Sequence, residues 1–418
     1  MKNLELRKRL LTVVLTGAVA LSGLAGCGNT TVVATDEPVS ETAQVEENEV
    51  AAAETAENKE EAAVETESNE PKDYGTLYVA FPTGNIRITI DILAKQLGYF
   101  DEEGVKVEPV NLAGPNALTA IDSGSDELDL LTVGFVPDLQ ALASGYDLAF
   151  IAGTAVEGGA VIAKKGNADQ FKDASKIINV DAFTNAKLGF VRNEASWVVT
   201  RQYLLDNGVD AATIEAIESE GSGNITYYAD ETETAQAVQK GAIEIGFLPL
   251  EYALLYADSY DLEIITAAGD LLPNYVCCRE VTSHSKLNEK RDAFEAYEKA
   301  RIRAWEYYKK GETDDTVKAD VVKIVSDYSG KESDYVETYL YGGVTKFSCD
   351  PNASGIKSYS KAVYNSGALA DAGLDFNTYD ISQNISDDVY KNALDELVKE
   401  QPDNEFYASL EKLYDEYK

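Results

Sequence analysis

Two stretches of the sequence repeat one pattern about 110 residues apart, and this repeat constrains the fold more than any other feature. In each copy a short apolar run ends at Gly and Pro, a helical apolar period follows, and a second apolar run closes the unit. Residues 134–137 (Gly-Phe-Val-Pro) correspond to residues 246–249 (Gly-Phe-Leu-Pro), and Tyr-Asp-Leu recurs at residues 146–148 and 260–262. Each copy therefore predicts a strand, a tight turn, a helix and a second strand.

The repeat extends upstream, because residues 77–98 parallel residues 188–208 with an apolar run, a loop and a helical stretch that ends at Gly. A repeat of this length is too long for a solenoid and predicts two α/β lobes of similar build. Chance similarity between two ordinary βαβ units is the alternative. Ligands of open α/β sheets bind beyond the carboxyl ends of the strands. Two such lobes facing each other would therefore form a ligand cleft.

Residues 1–26 have the features of a secretory signal. A basic start is followed by an apolar run over residues 10–21, which is too short for a permanent transmembrane helix. The Leu-Ala-Gly-Cys sequence at residues 24–27 resembles a bacterial lipobox, which implies cleavage before Cys27 and lipidation of its sulfur. A plain signal peptide with an incidental cysteine is the alternative.

Residues 27–73 are predicted to form an acidic, disordered tether. Between Asp36 and Glu70 there are thirteen acidic residues and one base, with no apolar period. The whole chain has a formal charge of −37, which argues against binding to nucleic acid or to anionic lipid. About 345 residues remain after Tyr74, which is enough for two hydrophobic cores.

A series of short motifs in the first half of the folded part resembles a known family. The motifs are Gly98-Tyr99-Phe100, Gly104-Val105-x-Val107, Ser123-Gly124, Asp129, Gly134, Pro137 and Ala143-x-Gly145. Their order and spacing resemble the extracytoplasmic solute-binding proteins of the nitrate, sulfonate and taurine (NMT1/THI5-like) class of ABC importers. The resemblance covers roughly residues 77–275, and the C-terminal part is similar only loosely.

This resemblance implies an α/β fold of the two-lobe, periplasmic-binding-protein type (type II), with central mixed sheets flanked by helices and two crossing segments. We place the crossings near residues 154–161 and 273–281. Lobe 1 would begin with residues 74–157, and lobe 2 would comprise residues 158–273. Residues 274–418 would contain the second crossing and a helical return to lobe 1. The apolar period of that helical part comprises Phe294, Tyr297, Ala300, Ala304 and Tyr308.

The cysteines other than Cys27 leave two possibilities open. Cys277 and Cys278 are neighbours in a strand-like run, so their side chains should point to opposite faces. One of them would be able to pair with Cys349 outside the cytoplasm. Buried free thiols are the alternative, and a redox role for the adjacent pair is not favoured.

The sequence contains little that would support catalysis. Its one histidine, His284, lies in a polar stretch that is predicted to be exposed. The chain has no nucleotide phosphate-binding loop, no Gly-x-Ser-x-Gly and no Cys or His pair at metal-ligand spacing. One related group makes a thiamine precursor with histidine and a cysteine-rich motif, which Cys277-Cys278 matches poorly. We therefore expect neither an enzyme nor a metal or cofactor.

The predicted strand-to-helix loops offer helix N-terminal amides, which favour an anionic ligand group. Arg87 and Arg192 lie near matching first loops and would pair with a carboxylate, sulfonate or phosphate. Trp197 would form an aromatic wall. In each case a surface or core position is the alternative.

Acidic residues at the expected mouth of the cleft would hold an ammonium or aminopyrimidine group, which favours a zwitterion or heterocycle over nitrate. The predicted ligand-binding residues are Gly84, Asn85, Arg87, Gly114, Asn116, Gly134, Phe135, Glu157, Asn193, Glu194, Trp197, Asp230, Phe247 and Asn274.

The sequence thus predicts a monomeric lipoprotein on the extracytoplasmic face of a bacterial membrane, held there by the lipid on Cys27. It would close its two lobes on a small solute and deliver that solute to the permease subunits of an ABC importer. The alternatives are a thiamine-precursor (pyrimidine) synthase-like enzyme on the same fold, or a surface sensor or interaction protein.

Overall fold

A computed structural model describes residues 72–219, 221, 223–369 and 373–418. The predicted signal peptide, the lipidation site at Cys27 and the tether up to residue 71 lie outside the described residues. Among the described residues, no helix has both the length and the apolar character needed to cross a membrane.

The first half of the described chain alternates strands and helices. Its elements are β1 (Thr76–Ala80), α1 (Thr89–Gln96), α2 (Tyr99–Glu102), β2 (Lys106–Val110), α3 (Gly114–Asp122), β3 (Leu131–Gly134), α4 (Phe135–Ala143), β4 (Ala149–Gly153), β5 (Ala155–Val156), β6 (Gly159–Lys164), a 3₁₀ turn (Ala168–Phe171), α5 (Val180–Asn185), β7 (Leu188–Val191), α6 (Ala195–Asp206) and α7 (Ala211–Glu218).

The second half becomes mostly helical after the eleventh strand. Its elements are β8 (Ile225–Tyr228), α8 (Glu231–Lys240), β9 (Ile245–Pro249), α9 (Leu250–Tyr256), β10 (Leu262–Ala267), α10 (Ala268–Leu271), β11 (Cys278–Thr282), α11 (His284–Glu289), α12 (Arg291–Lys310), α13 (Asp315–Ser329), α14 (Ser333–Tyr341), β12 (Lys346–Phe347), α15 (Ala353–Asn365), a 3₁₀ turn (Ile381–Asn384), α16 (Asp388–Glu400) and α17 (Glu405–Tyr417).

Both predicted repeat units form the expected strand, helix and strand. The first is β3-α4-β4, and the second is β9-α9-β10. The upstream part of the repeat is also confirmed, because β1 and α1 in the first copy correspond to β7 and α6 in the second.

The strand orders of the two copies match as well. In the first, β2 pairs with β1 in parallel, β1 joins β3 through a bridge between Val79 and Leu130, and β11 lies between β3 and β4. In the second, the order is β8-β7-β9-β6-β10.

The fourth strand in each of these orders comes from the chain that has just left the other repeat unit. β6 follows the first unit and inserts antiparallel between the two strands of the second unit, β9 and β10. β11 follows the second unit and inserts antiparallel between β3 and β4. The chain therefore crosses twice, as predicted, and the structure confirms an α/β fold with mixed sheets flanked by helices.

The C-terminal helices pack mainly on the first group of strands. α12 lies against α1, α2 and α16. Its predicted apolar face is buried, since Phe294, Tyr297, Ala300, Ala304 and Tyr308 are at most 3 % exposed. α15 instead packs on α6, beside the second group of strands.

A fully buried arginine ties α12 to the core. The guanidinium of Arg301 donates to Asp91 Oδ1 at 2.8 Å, to both carboxylate oxygens of Glu298 at 2.9 and 2.8 Å, and to the carbonyl of Gly153 at 2.9 Å. Its Nη2 also lies 3.2 Å from Glu280 Oε1. One cation thus compensates three carboxylates that have almost no exposure to solvent.

Candidate functional site

A concave site lies where the carboxyl ends of both groups of strands meet. It is a cavity of about 460 Å³, lined by loops that follow β1, β2, β3, β7, β8 and β9 and by the segment leading into β11. The connection between α13 and α14 and parts of α14 and α15 complete the lining. Parallel strands with helices behind them place such loops at one edge of the sheet, which is where α/β proteins bind ligands.

The first wall comes from the loops after β1, β2 and β3. Gly84 has a φ of 77°, which a side chain would disfavour, and it lets the chain turn beside the cavity. Asn85 Oδ1 accepts a hydrogen bond from the backbone N–H of Arg87 at 2.9 Å and so fixes this turn. Gly114 at the start of α3 and the Gly134–Phe135 junction complete the wall.

The opposite wall comes from the second repeat. Asn193, with a φ of 69°, precedes the first residue of α6 by two positions. Glu194 caps α6 by accepting hydrogen bonds from the backbone N–H and the hydroxyl of Ser196, at 3.3 and 2.9 Å. Glu231 and Glu251, in the first turns of α8 and α9, also line the cavity.

An ion pair joins the two walls. The guanidinium of Arg87, from the loop after β1, donates through Nε to Glu251 Oε1, and its Nη2 approaches the same oxygen. Both side chains are largely shielded, with 29 % and 11 % of their surfaces exposed. The pair therefore links the two halves of the cavity across 164 residues of sequence.

The cavity has an excess of negative charge. Its lining includes three carboxylates, Glu194, Glu231 and Glu251, but only two cations, Arg87 and Lys331. Burial raises the pKa of Glu194 to about 6, against the opposing hydrogen bonds from Ser196. This carboxylate is charged at neutral pH and becomes neutral in mild acid.

Four aromatic residues belong to the lining of the cavity. Phe135 and Tyr359 stack with ring centroids 6.1 Å apart, and Tyr359 Oη donates to the carbonyl of Ala195 at 3.3 Å. Tyr335 Oη donates to the carbonyl of Glu251 at 2.8 Å, and Tyr252 lies beside it in the lining. Tyr252 and Tyr335 are partly exposed and can contact a flat or partly apolar solute, whereas Phe135 and Tyr359 are at most 2 % exposed.

Eight of the predicted ligand-binding residues come together in this cavity: Gly84, Asn85, Arg87, Gly114, Gly134, Phe135, Asn193 and Glu194. The other six do not line it.

Two of those six belong to the hydrophobic core. Trp197 is 5 % exposed, stacks on Phe190 at 5.5 Å and donates through Nε1 to Glu218 at 3.0 Å. Phe247 has no exposed surface and packs edge-on against Trp197. In this structure the tryptophan is a core residue rather than the expected aromatic wall.

The remaining four have other partners. Glu157 is buried at the first crossing, where its carboxylate accepts from the backbone N–H of Asn274 and pairs with Lys346, each at 2.5 Å. Asn274 thereby joins the second crossing to the first. Asp230 caps α8 by accepting from the N–H of Glu233 at 2.7 Å, and Asn116 is exposed on α3.

The three cysteines of the described part are free thiols. The sulfurs of Cys277 and Cys278 are 3.6 Å apart and both residues line the cavity, so the expectation that they point to opposite faces is wrong. Cys277 precedes the first residue of β11, so the alternation of a regular strand does not extend to it. Cys349 is fully buried elsewhere.

Sequence reasoning missed part of the lining. Glu231 and Glu251 follow strands of the second repeat, and the same loop argument would have found them. Lys331, Tyr335 and Tyr359 come from the helical C-terminal part. No periodicity there indicates which helix ends reach the cavity.

Comparisons with known proteins agree with this architecture. Residues 85–311 match the model of the NMT1/THI5-like family. No curated protein matches the sequence.

Solved structures with a similar fold include the ligand-binding component of an ABC-type import system from Staphylococcus aureus with zinc bound, at a TM-score of 0.56 and 13 % identity over 76 % of this chain and 99 % of that one. The alkanesulfonate-binding protein SsuA from Xanthomonas axonopodis bound to MOPS has a TM-score of 0.54 and 15 % identity, over 74 % of this chain and 97 % of that one. The periplasmic nitrate-binding protein NrtA from Synechocystis has a TM-score of 0.57 and 13 % identity, over 79 % of this chain and 90 % of that one. At identities this low, the structural similarity establishes a shared fold alone.

Proposed function

Because the chain belongs to the NMT1/THI5-like family, we propose that it is an extracytoplasmic solute-binding lipoprotein that captures a small solute for an ABC importer by closing two lobes. The observation that carries this proposal is a cavity lined by strand-end loops of both repeats and bridged by Arg87 and Glu251. A solute that contacts both walls stabilises the closed state, because it can make all its contacts only there.

The lining favours a solute with both an acidic and a basic or heterocyclic part. Arg87 is placed to receive a sulfonate or carboxylate, and Glu194 and Glu231 would hold an ammonium or aminopyrimidine group. A simple anion such as nitrate would enter a cavity whose lining has three carboxylates and two cations. We therefore propose a sulfonate- or taurine-like zwitterion, or a heterocycle resembling a thiamine precursor. That one similar structure is a sulfonate-binding protein bound to MOPS supports the first class.

The remaining organisation follows from the same proposal. Residues 74–157 would begin lobe 1, residues 158–273 would form lobe 2, and residues 274–418 would cross back and complete lobe 1. Lipidation of Cys27, after removal of residues 1–26, would anchor a monomer to the outer face of the cell membrane. The acidic tether would keep the folded part near the permease subunits of the importer without docking it on the membrane.

Binding without chemistry fits the described residues better than catalysis does. The only histidine, His284, does not line the cavity. Its Nδ1 lies 2.5 Å from Asp147 and its Nε2 lies 3.1 Å from the carbonyl of Gln383. Turnover of an aminopyrimidine precursor by the purified protein would favour the enzyme alternative. Ligand-dependent closure without any product supports the binding protein.

The test begins with the solute that the purified protein carries. Mass spectrometry of small molecules released on denaturation should identify it. Adding it back at a hundredfold excess over its Kd should stabilise the fold by about 2.7 kcal/mol. Taurine, short alkanesulfonates and aminopyrimidines are the compounds to screen if nothing is carried over.

Arg87 and Arg192 provide a matched pair of variants. Arg192 occupies the corresponding loop of the second repeat, but it does not line the cavity and stacks on the ring of Tyr227 at 3.9 Å. Arg87→Gln should lose a charge-assisted hydrogen bond to the solute, which is about 1.5–3 kcal/mol and roughly 10- to 100-fold in Kd. Arg192→Gln should bind as the wild type does. Equal effects of the two substitutions would contradict the proposed site.

A further inference from the structure

The adjacent thiols of Cys277 and Cys278 give the cavity a chemistry that a zwitterion does not use. Both residues line the cavity, and their sulfurs are 3.6 Å apart without a bond between them. We propose that they form a two-sulfur chelating site for a trivalent arsenical or a similarly bent thiophilic centre. This inference depends on the two thiols alone and goes beyond the solute proposed above.

The surroundings of the two sulfurs favour one shared thiolate. The hydrogen bond from Cys277 lowers the pKa of the Cys278 thiol to about 7 against the effect of burial, and the guanidinium of Arg87 lowers it further. The same interaction raises the pKa of Cys277. A thiolate is the nucleophile and metal ligand of cysteine chemistry, so Cys278 is the sulfur that would bond first.

Cys277 is the more exposed of the two thiols, and the neighbouring backbone leaves space for its sulfur. Cys277 is half-buried, whereas Cys278 is 1 % exposed. Gly158 lies beside Cys277, and a Cβ on this glycine would come within 2.8 Å of the Cys277 sulfur. An incoming centre would therefore enter from the cavity beside Cys277, bond to the thiolate of Cys278 and then be closed into a ring by Cys277.

The distance between the sulfurs selects the geometry of the centre. With bonds of about 2.3 Å, the length of a zinc–thiolate bond, sulfurs 3.6 Å apart subtend roughly 100° at a common atom. A linear two-coordinate centre would need the sulfurs about 4.6 Å apart on the same bond length. A bent, pyramidal centre such as trivalent arsenic fits the pair as it stands.

The described residues do not offer a full coordination shell for the common metals. Structural zinc takes four ligands, and calcium takes six to eight oxygens. Across the described ranges there is no group of three or more His, Cys, Asp or Glu side chains that would hold a metal ion. A centre that is satisfied by two sulfurs and keeps its own third substituent needs no further protein ligand.

The bonding step balances without an oxidant or reductant. An organic arsenic(III) oxide, R–As=O, reacts with two thiols to form two As–S bonds while the As=O bond breaks. The two thiol protons leave with the oxygen as water, and arsenic stays trivalent. Cys277, Cys278 and the arsenic then form one closed ring.

Phenylarsine oxide is the probe that tests this site. The full-length protein, reduced with a phosphine and freed of reductant, should gain one phenylarsenic group per chain in its intact mass. Cys277→Ser and Cys278→Ala should each weaken capture at least tenfold, because a single thiol cannot chelate. Cys349→Ala is the matched control and should capture the probe as the wild type does, since Cys349 is buried outside the cavity.

The partly exposed position of Cys277 makes its serine variant the decisive one if Cys278→Ala fails to fold. Capture that survives in a folded Cys277→Ser protein would overturn the proposal. Absence of capture by the reduced wild type would overturn it as well. A thermal shift with the carried solute, measured on the same samples, separates this outcome from failure of the proposed transport function, because a zwitterion does not require the thiols.

Discussion

Replacing Arg301 with methionine should destabilise the protein strongly, because this residue compensates three buried carboxylates. Its side chain has no exposed surface, and its partners come from α1, β11 and α12 itself. Met fills much of the same volume but leaves Asp91, Glu280 and Glu298 without their shared cation. Removing one partner from a buried ion pair typically costs 3–5 kcal/mol, so we expect the free energy of unfolding to fall by about 3–5 kcal/mol.

The size of this loss should depend on pH. Burial raises the pKa of Glu298 to about 7 and that of Glu280 well above its usual range, even with Arg301 present. Without the cation these two pKa values rise further, so at pH 5.5 Glu280 and Glu298 are protonated and add no uncompensated charge. The native state then binds more protons than the unfolded state, and its stability falls as pH increases. The penalty of Arg301→Met should therefore be larger at pH 8.5 than at pH 5.5.

Chemical denaturation followed by far-UV circular dichroism at both pH values measures the effect. Arg291→Met is the control, since Arg291 is one-third exposed on the same helix and pairs with Glu295 and Asp388. Such an exposed pair contributes at most about 1 kcal/mol. If Arg301→Met costs no more than Arg291→Met, or if its cost is greater in acid, the interpretation of the network is refuted.

Three further predictions follow from the site and the anchor. Trp197→Ala should lower the free energy of unfolding, measured by chemical denaturation, by about 3–5 kcal/mol, because the ring packs on Phe190 and Phe247. A large loss of solute affinity with an unchanged free energy of unfolding would instead support the aromatic-wall hypothesis. The affinity for a zwitterion or cation, measured by calorimetry, should weaken as pH falls through about 6, where Glu194 becomes neutral. Glu194→Gln should remove that pH dependence. If the variant keeps the pH profile of the wild type, Glu194 is excluded from the site. Cys27→Ser should release the protein from the membrane fraction of cells, and sedimentation of this variant with membranes would contradict lipid anchoring.

The repeat in the sequence predicted the arrangement of strands well. The two units fold alike, although Gly134 ends β3 whereas Gly246 is the second residue of β9, and this similarity also places the loops that meet at the cavity. Because loops at the carboxyl ends of neighbouring strands share an edge, Arg87 and Glu194 could be predicted to lie together although they belong to different repeats.

Other features could not be obtained from the sequence. Trp197 is the third residue of α6, a position from which a ring can turn either to the sheet or to the cleft. Its packing against Phe247 depends on a strand that follows much later in the chain. Tyr335 and Tyr359 lie on amphipathic helices, where the apolar period indicates a buried face but not its partner. The charged Arg301 gave no sign that it would be buried.

A structure of the protein with its carried solute tests the central claim most directly. We expect electron density in the 460 Å³ cavity, with the acidic group of the solute at Arg87 and its basic or heterocyclic part at Glu194 and Glu231. Contacts should come from residues 81–137 on one side and residues 190–251 on the other. A solute bound elsewhere, or touching residues of only one of these ranges, would contradict capture by closure of two lobes.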